Sequence, residues 1–152
     1  RVPAGVRTSA LVSSLDVYPT LLELAGVQDL PKHLMGHSLV PILKDPHAEV
    51  RTTVFSECVG VGGAAGQGHR MARTKRWKYI LTGTDEQYLF DQQKDPSELR
   101  NQIDVPELKP VTDELRSKLS TWMQQVGDDC YRPNENHHVE DRVQQISIRI
   151  DQ

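Results

Sequence analysis

The residues whose types invite chemistry gather around one stretch. Five glycines in nine residues, Gly60, Gly62, Gly63, Gly66 and Gly68, lead into His69 and Arg70. Glycine-rich backbone can approach a ligand closely. A guanidinium can hold a sulfate or carboxylate through two parallel hydrogen bonds, and an imidazole can donate to the same anion or to a sugar hydroxyl. The stretch is not a phosphate fingerprint, because no helix follows it to offer its N-terminus. His69 and Arg70 are therefore the candidate ligand-binding residues. The competing reading pairs Arg70 with a surface carboxylate such as Glu57.

Arg70, Arg73, Lys75, Arg76 and Lys78 place five cations in nine residues. A nucleic-acid patch would show such a cluster, but the whole chain carries −3 with a pI near 6.1, and no aromatic stacking platform accompanies the cations. A solvated strand face with ion pairs fits better, and no nucleic-acid partner is expected. His33, His37 and His47 lie within fifteen residues. A metal would need the first pair on one helix face, and Gly36 with Pro31, Pro41 and Pro46 opposes a helix there. Cys58 and Cys130 either pair or stand as separate thiols, and two cysteines make neither a metal site nor a disulfide framework. Asp128 and Asp129 are expected to be solvated. The sequence thus offers no complete catalytic constellation, and neither catalytic nor metal-binding residues are assigned.

The elements that would position His69 and Arg70 form an α+β fold: a small antiparallel sheet with a helix across one face. Residues 52–59, 70–81 and 86–91 are the expected strands. In the second, Met71, Arg73, Lys75, Trp77, Tyr79 and Leu81 share a face. Its Trp77–Leu81 end should be buried, leaving Arg76 and Lys78 to solvent. Thr82-Gly83-Thr84-Asp85 is turn chemistry. Leu108, Val111, Leu115, Leu119, Trp122, Met123 and Val126 recur at helical spacing, so 107–126 is a helix with Gly127 as its stop. Thr112 falls on its polar side. Upstream, Asp16 sits where an N-cap belongs and Gly26 at a C′ position, which predicts a helix over 16–25. Ala10-Leu11-Val12 could be a buried strand. Val143, Ile146, Ile148 and Ile150 alternate partly, as in a late strand.

At 152 residues, with 37% apolar and 26% charged residues and a mean hydropathy of −0.54, the chain supports one domain with a modest core. No apolar run approaches the roughly 18 residues of a membrane span, so no membrane partner is expected. No signal-peptide pattern opens the sequence, and Arg1-Val2-Pro3 reads as the interior of a longer chain.

Two ordered sets of residues carry a family resemblance. Arg70-Met71-Ala72-Arg73-Thr74-Lys75-Arg76-Trp77-Lys78-Tyr79-Ile80, then Leu89-Phe90-Asp91 and Asp95-Pro96-Ser97-Glu98-Leu99-Arg100-Asn101, resemble the C-terminal subdomain of sulfatases, with Gln92 and Gln102 where leucine is common. Leu11 to Val27, holding Asp16, Pro19 and Thr20, and Gly36-His37-Ser38-Leu39-Val40-Pro41-Ile42-Leu43 are similar to the end of the sulfatase catalytic domain. The resemblance covers about residues 1–127 and implies three segments: 1–48, the end of a catalytic domain and a connector; 49–127, a C-terminal subdomain; and 128–152, a tail. It implies that the parent protein hydrolyses sulfate esters of a small molecule or glycan, using a formylglycine nucleophile and calcium held upstream, and that the ligand of His69 and Arg70 is this substrate. Neither cysteine here begins the required Cys/Ser-x-Pro/Ala-x-Arg motif. The chain is then expected to complete the substrate cleft and stabilise the upstream catalytic domain. Without that domain, Leu21, Leu22 and Leu24 should be partly exposed, which opens self-association. The alternatives are a stand-alone binding or structural module, or the same part of a phosphonate or phosphate monoester hydrolase.

Overall fold

The computed structural model describes residues 4–27, 29, 31, 33–58 and 68–128. The glycine-rich stretch from Val59 to Gln67, Cys130 and the isoleucine-rich tail fall outside the described residues.

Among the described residues, four strands form an antiparallel sheet in sequence order: β1 (Val54–Cys58), β2 (His69–Arg73), β3 (Trp77–Thr82) and β4 (Gln87–Asp91). The single strand expected over 70–81 is thus two. Thr74 makes the break: its amide donates to the Trp77 carbonyl at 2.8 Å, and its hydroxyl accepts the Trp77 amide at 2.9 Å. A threonine side chain bonding nearby backbone is a turn device, and here it overrides the β character of the surrounding residues. The turn also changes which residues share a face. Ala72 pairs with Tyr79 and Arg70 with Leu81, so the even positions of β2 join the odd positions of β3. Ala72 and Arg70 are buried as a result, whereas Met71 is half-buried and Arg73 exposed.

Among the described residues, three helices accompany the sheet: α1 (Val17–Leu24), α2 (Val40–Lys44) and α3 (Lys109–Val126). A 3-10 turn over Pro106–Leu108 leads into α3. Gly127 ends α3 in the left-handed region, φ 63°, and the Asp128 amide then reaches the Met123 carbonyl at 2.9 Å. That closure satisfies carbonyls the last turn leaves open, and glycine adopts the conformation without a Cβ penalty. The stripe on α3 packs as its spacing predicts. Leu115 and Leu119 are buried against Ala72, Tyr79 and Leu89, with Phe55, Trp77, Leu81, Leu108, Val111, Trp122 and Met123 around them. Phe55 and Trp122 stack with ring centroids 5.3 Å apart, which contributes about 0.5–1.5 kcal/mol beyond area burial. Thr112 is buried as well, with 4% of its surface exposed. Its place between Leu108 and Leu115 at helical steps puts it inside the stripe, and its polar type hid this.

The other edge of the sheet is closed by the chain that follows β4. The Asn101 side chain accepts the Leu89 amide at 2.9 Å and donates to the Gln87 carbonyl at 3.0 Å, while the Gln102 amide donates to the Leu89 carbonyl at 2.8 Å. Asn101 thereby serves as a substitute strand partner for β4.

In the N-terminal part, Ala10–Val12 joins no ladder and Val12 is about half exposed. The helix begins as a 3-10 turn over Ser14–Asp16, with Ser13 as its cap. The Asp16 carboxylate does not cap α1 from its N-terminus; it reaches back and accepts the Ser13 amide at 2.7 Å.

Candidate functional site

β2 sends neighbouring side chains to opposite faces of the sheet, so His69 and Arg70 do not converge. His69 is exposed. Arg70 is on the face covered by α3 and is 2% exposed. A buried guanidinium has to have its donors satisfied. Nε and Nη2 grip both carboxylate oxygens of Asp128, the latter at 2.8 Å. Nη1 donates to the carbonyls of Cys58 at 3.2 Å and His69 at 3.1 Å. Glu57, directly across the ladder, stands at 3.8 Å from Nε. Asp128 is therefore not solvated: its side chain is 1% exposed. The end of α3 and the sheet are joined by a buried, bidentate ion pair. An anion approaching Arg70 has to compete with Asp128.

Lys75, Arg76 and Lys78 also have partners. Arg76 donates twice to one oxygen of Asp91, at 3.1 and 2.9 Å, and lies over the Trp77 ring at 4.6 Å. The other Asp91 oxygen accepts the Gln93 and Lys94 amides. The Arg76 bonds, aided by these amides, hold the Asp91 carboxyl below the usual carboxylate range against the opposing effect of burial. Lys78 bonds both oxygens of Glu98, at 2.9 and 2.8 Å, and keeps that carboxyl ionised to lower pH as well. Glu98 holds a left-handed backbone, φ 55°. Lys75 pairs with Glu49.

A second dense polar site centres on Asp16, which is fully buried. Its carboxylate accepts a fork from Arg51 and the His37 amide at 2.9 Å, besides the Ser13 amide. Burial alone would push this carboxyl up; the Arg51 bonds and the two amides outweigh it and hold the group below its ordinary value. The Thr20 hydroxyl donates to the Asp16 carbonyl at 2.5 Å and accepts the Leu39 amide at 2.9 Å. Gly36 makes this closeness possible, because a Cβ there would overlap the Leu15 carbonyl. The two N-terminal sequence motifs thus interlock through Asp16, Thr20 and Gly36. His33, His37 and His47 are all exposed, and His37 contributes through its main chain. Among the described residues, no three His, Cys, Asp or Glu side chains are grouped to hold a metal. Arg51 and Asp128 are the residues that sequence reasoning missed. Both partners lie far off in sequence, 35 and 58 residues away, and no local pattern marks them.

With these motifs given physical roles, the comparison with known proteins is direct. Residues 1–125 match the family described as N-sulphoglucosamine sulphohydrolase, C-terminal. This chain belongs to the sulfatase family, as a C-terminal portion. Human arylsulfatase K is 36% identical over 130 residues, covering 78% of this chain and 23% of that protein. A structure solved in complex with its substrate D-glucosamine-2-N,6-O-disulfate superposes with a TM-score of 0.67 at 26% identity, over 80% of this chain and 25% of the other. The phosphonate monoester hydrolase of Agrobacterium radiobacter superposes with a TM-score of 0.58 at 28% identity, over 72% of this chain and 24% of the other. This sulfatase portion spans about a quarter of the length of the curated relatives it matches. Among its described residues, no helix is long and apolar enough to cross a membrane.

Proposed function

We propose that this chain is the C-terminal portion of a sulfuric ester hydrolase, with 1–48 ending the catalytic domain, 49–127 forming a subdomain beside the substrate cleft, and 128–152 a tail. It stabilises the catalytic domain and supplies no catalytic residue. The observation that carries the reading is the exposed apolar side of α1, in a chain whose first 125 residues match a sulfatase C-terminal family. Leu15, Val17 and Tyr18 are each 54% exposed, Leu21 59% and Leu24 60%. An apolar surface of this kind marks an interaction site, and the buried Asp16 and Thr20 on the opposite side fix α1 so that this surface is held outward. Its partner is the upstream catalytic domain; without it, the surface drives self-association.

Formylglycine and calcium do not fit the residues present. Cys58 is followed by Val59-Gly60-Val61 and Cys130 by Tyr131-Arg132-Pro133, and the buried carboxylates of Asp16, Asp91 and Asp128 are committed to arginines and main-chain amides. Both groups would belong to the upstream domain of the parent, where formylglycine would supply a nucleophile and calcium a positive charge for the sulfate. The substrate is a sulfated small molecule or glycan. His69, exposed at the start of β2, is the better placed of the two candidate substrate residues; Arg70 acts on substrate only if an anion draws it from Asp128. A phosphonate monoester hydrolase is the second reading, favoured by the superposition at 28% identity.

The test uses the intact parent enzyme. His69→Ala should raise KM for the natural sulfated saccharide and leave a small aryl sulfate nearly unaffected, because the reacting centre is untouched. Equal KM values for the saccharide in both proteins would remove His69 from the cleft. The relative rates on an aryl sulfate and a phosphonate monoester separate the two reactions. The 152-residue chain alone should turn over neither.

A further inference from the structure

The first turns of α3 hold a buried hydroxyl whose bond is missing. Thr112 is 4% exposed, yet among the described residues its Oγ1 has no hydrogen-bond partner. A helical threonine often returns its hydroxyl to a carbonyl one turn back; Thr112 does not. Leaving a hydroxyl unpaired away from water is unfavourable. This side chain lines a cavity of about 450 Å³ enclosed by the start of α3, the segment 103–106 before it and the β3–β4 turn. Small-molecule sites measure roughly 300–1,000 Å³, so the cavity is large enough for one. Among the described lining residues only Thr112 is buried, which puts its hydroxyl at the bottom.

The charges above it are already matched. Lys109 and Arg116 pair with the two oxygens of Asp113 at 2.8 and 3.1 Å. Arg116 also donates to Gln87 Oε1 at 2.7 Å, and the Tyr79 hydroxyl donates to the same oxygen at 2.9 Å. Ile103 and Val105 supply an aliphatic wall. Gln87 lies across the ladder from Leu81, and Leu81 from Arg70, so the cavity is on the α3 face of the sheet and His69 on the other.

We propose that this cavity binds an uncharged saccharide unit. An ionic ligand would have to break the Lys109–Asp113–Arg116 set to be neutralised there. Asp85, Asp104 and Asp113 all line the cavity, but they are not grouped to hold a metal ion. Sugar hydroxyls leave the set intact. A hydroxyl donates to a spare lone pair of a paired carboxylate and accepts a spare proton of a paired ammonium or guanidinium. One that reaches the bottom gives Thr112 the partner it lacks, and the C–H face of the ring lies on Ile103 and Val105. The site does not depend on His69 being a substrate residue. A trapped water and a side chain of the parent's upstream domain are the rival partners of Thr112.

Two-dimensional NMR of the full 152-residue chain, titrated with D-glucose, N-acetyl-D-glucosamine or maltose and separately with inorganic sulfate, tests the proposal. At least one saccharide should give saturable shifts at the Gln87, Ile103, Thr112 and Asp113 amides and leave Ser13 and His37 unmoved. Without ligand, Thr112→Val should be at least as stable in urea as the wild-type chain, because it removes an unpaired hydroxyl. It should weaken saccharide binding about tenfold, the effect of one hydrogen bond. Arg116→Ala, at a side chain 47% exposed, removes a donor at the mouth and should weaken binding with the fold intact. No saturable shift with any of the saccharides overturns the proposal, and so does binding that both variants leave unchanged. Saturation by sulfate alone assigns an anion site. A Thr112→Val chain less stable than wild type means that water or another segment already satisfies the hydroxyl. Saturation lost in the intact parent assigns the cavity to the upstream domain. Each of these three results overturns it.

Discussion

Arg70 is the residue for which a structural and a substrate role can be separated by experiment. Its guanidinium and the Asp128 carboxylate are both almost fully buried, at 2% and 1% exposure of the side chains. Removing one member of such a pair leaves an uncompensated charge away from water, which costs about 3–5 kcal/mol. Arg70→Met should therefore lower the urea midpoint of the 152-residue chain, followed by Trp77 and Trp122 fluorescence, by an amount that corresponds to about 3–5 kcal/mol. Replacing both members, Arg70→Met with Asp128→Leu, removes the second buried charge as well. Because well-packed apolar replacements of buried ion pairs are often neutral or stabilising, the double variant should recover most of the loss. In the parent enzyme the same pair of variants then divides the two roles. A purely structural Arg70 gives a double variant with near-normal KM for the natural sulfated substrate. An Arg70 that also holds a sulfate gives a stable double variant whose KM stays raised. A loss below about 1 kcal/mol in the single variant would refute the reasoning, since it would mean the pair is wet.

Gly36→Ala forces a Cβ onto the Leu15 carbonyl and should destabilise the α1–α2 region by about 1–3 kcal/mol, seen as faster exchange of the His37 and Leu39 amides. Asp16, Asp91 and Glu98 all have folded pKa values below their ordinary 3.8, 3.8 and 4.5. Each stabilises the fold above its unfolded value, and that stability is lost as pH falls through the folded value; an acid titration should show the decline beginning below about pH 4.5, and Asp16→Asn should flatten it. Leu21→Ser with Leu24→Ser should reduce self-association in light scattering, because these side chains are 59% and 60% exposed, and unchanged scattering would count against α1 as the interaction surface. Trp122→Ala removes the stack on Phe55 and should cost about 3 kcal/mol, the low end for tryptophan because the ring is only half-buried.

Helical spacing and turn chemistry were enough to place α3, its stop at Gly127 and the β3–β4 hairpin from the sequence, because periodicity and caps act over a few residues. The sulfatase resemblance was legible for a related reason: Asp91, Asn101, Gly36 and Thr20 each meet a local or steric demand that few other residues could satisfy. Where local signals conflicted, the sequence misled. Thr74 broke an otherwise uniform strand, and the even number of residues between paired Arg73 and Lys78 put the even positions of β2 on the face of the odd positions of β3, which buried Arg70 rather than Met71 and Arg73. Thr112 lay inside the apolar stripe despite its hydroxyl. Only the tertiary structure could decide which charge meets which. The forks from Arg51 to Asp16 and from Arg70 to Asp128 span 35 and 58 residues. Ion pairing depends on distance and burial in three dimensions, and a sequence lists the charges without stating how far apart the fold will put them.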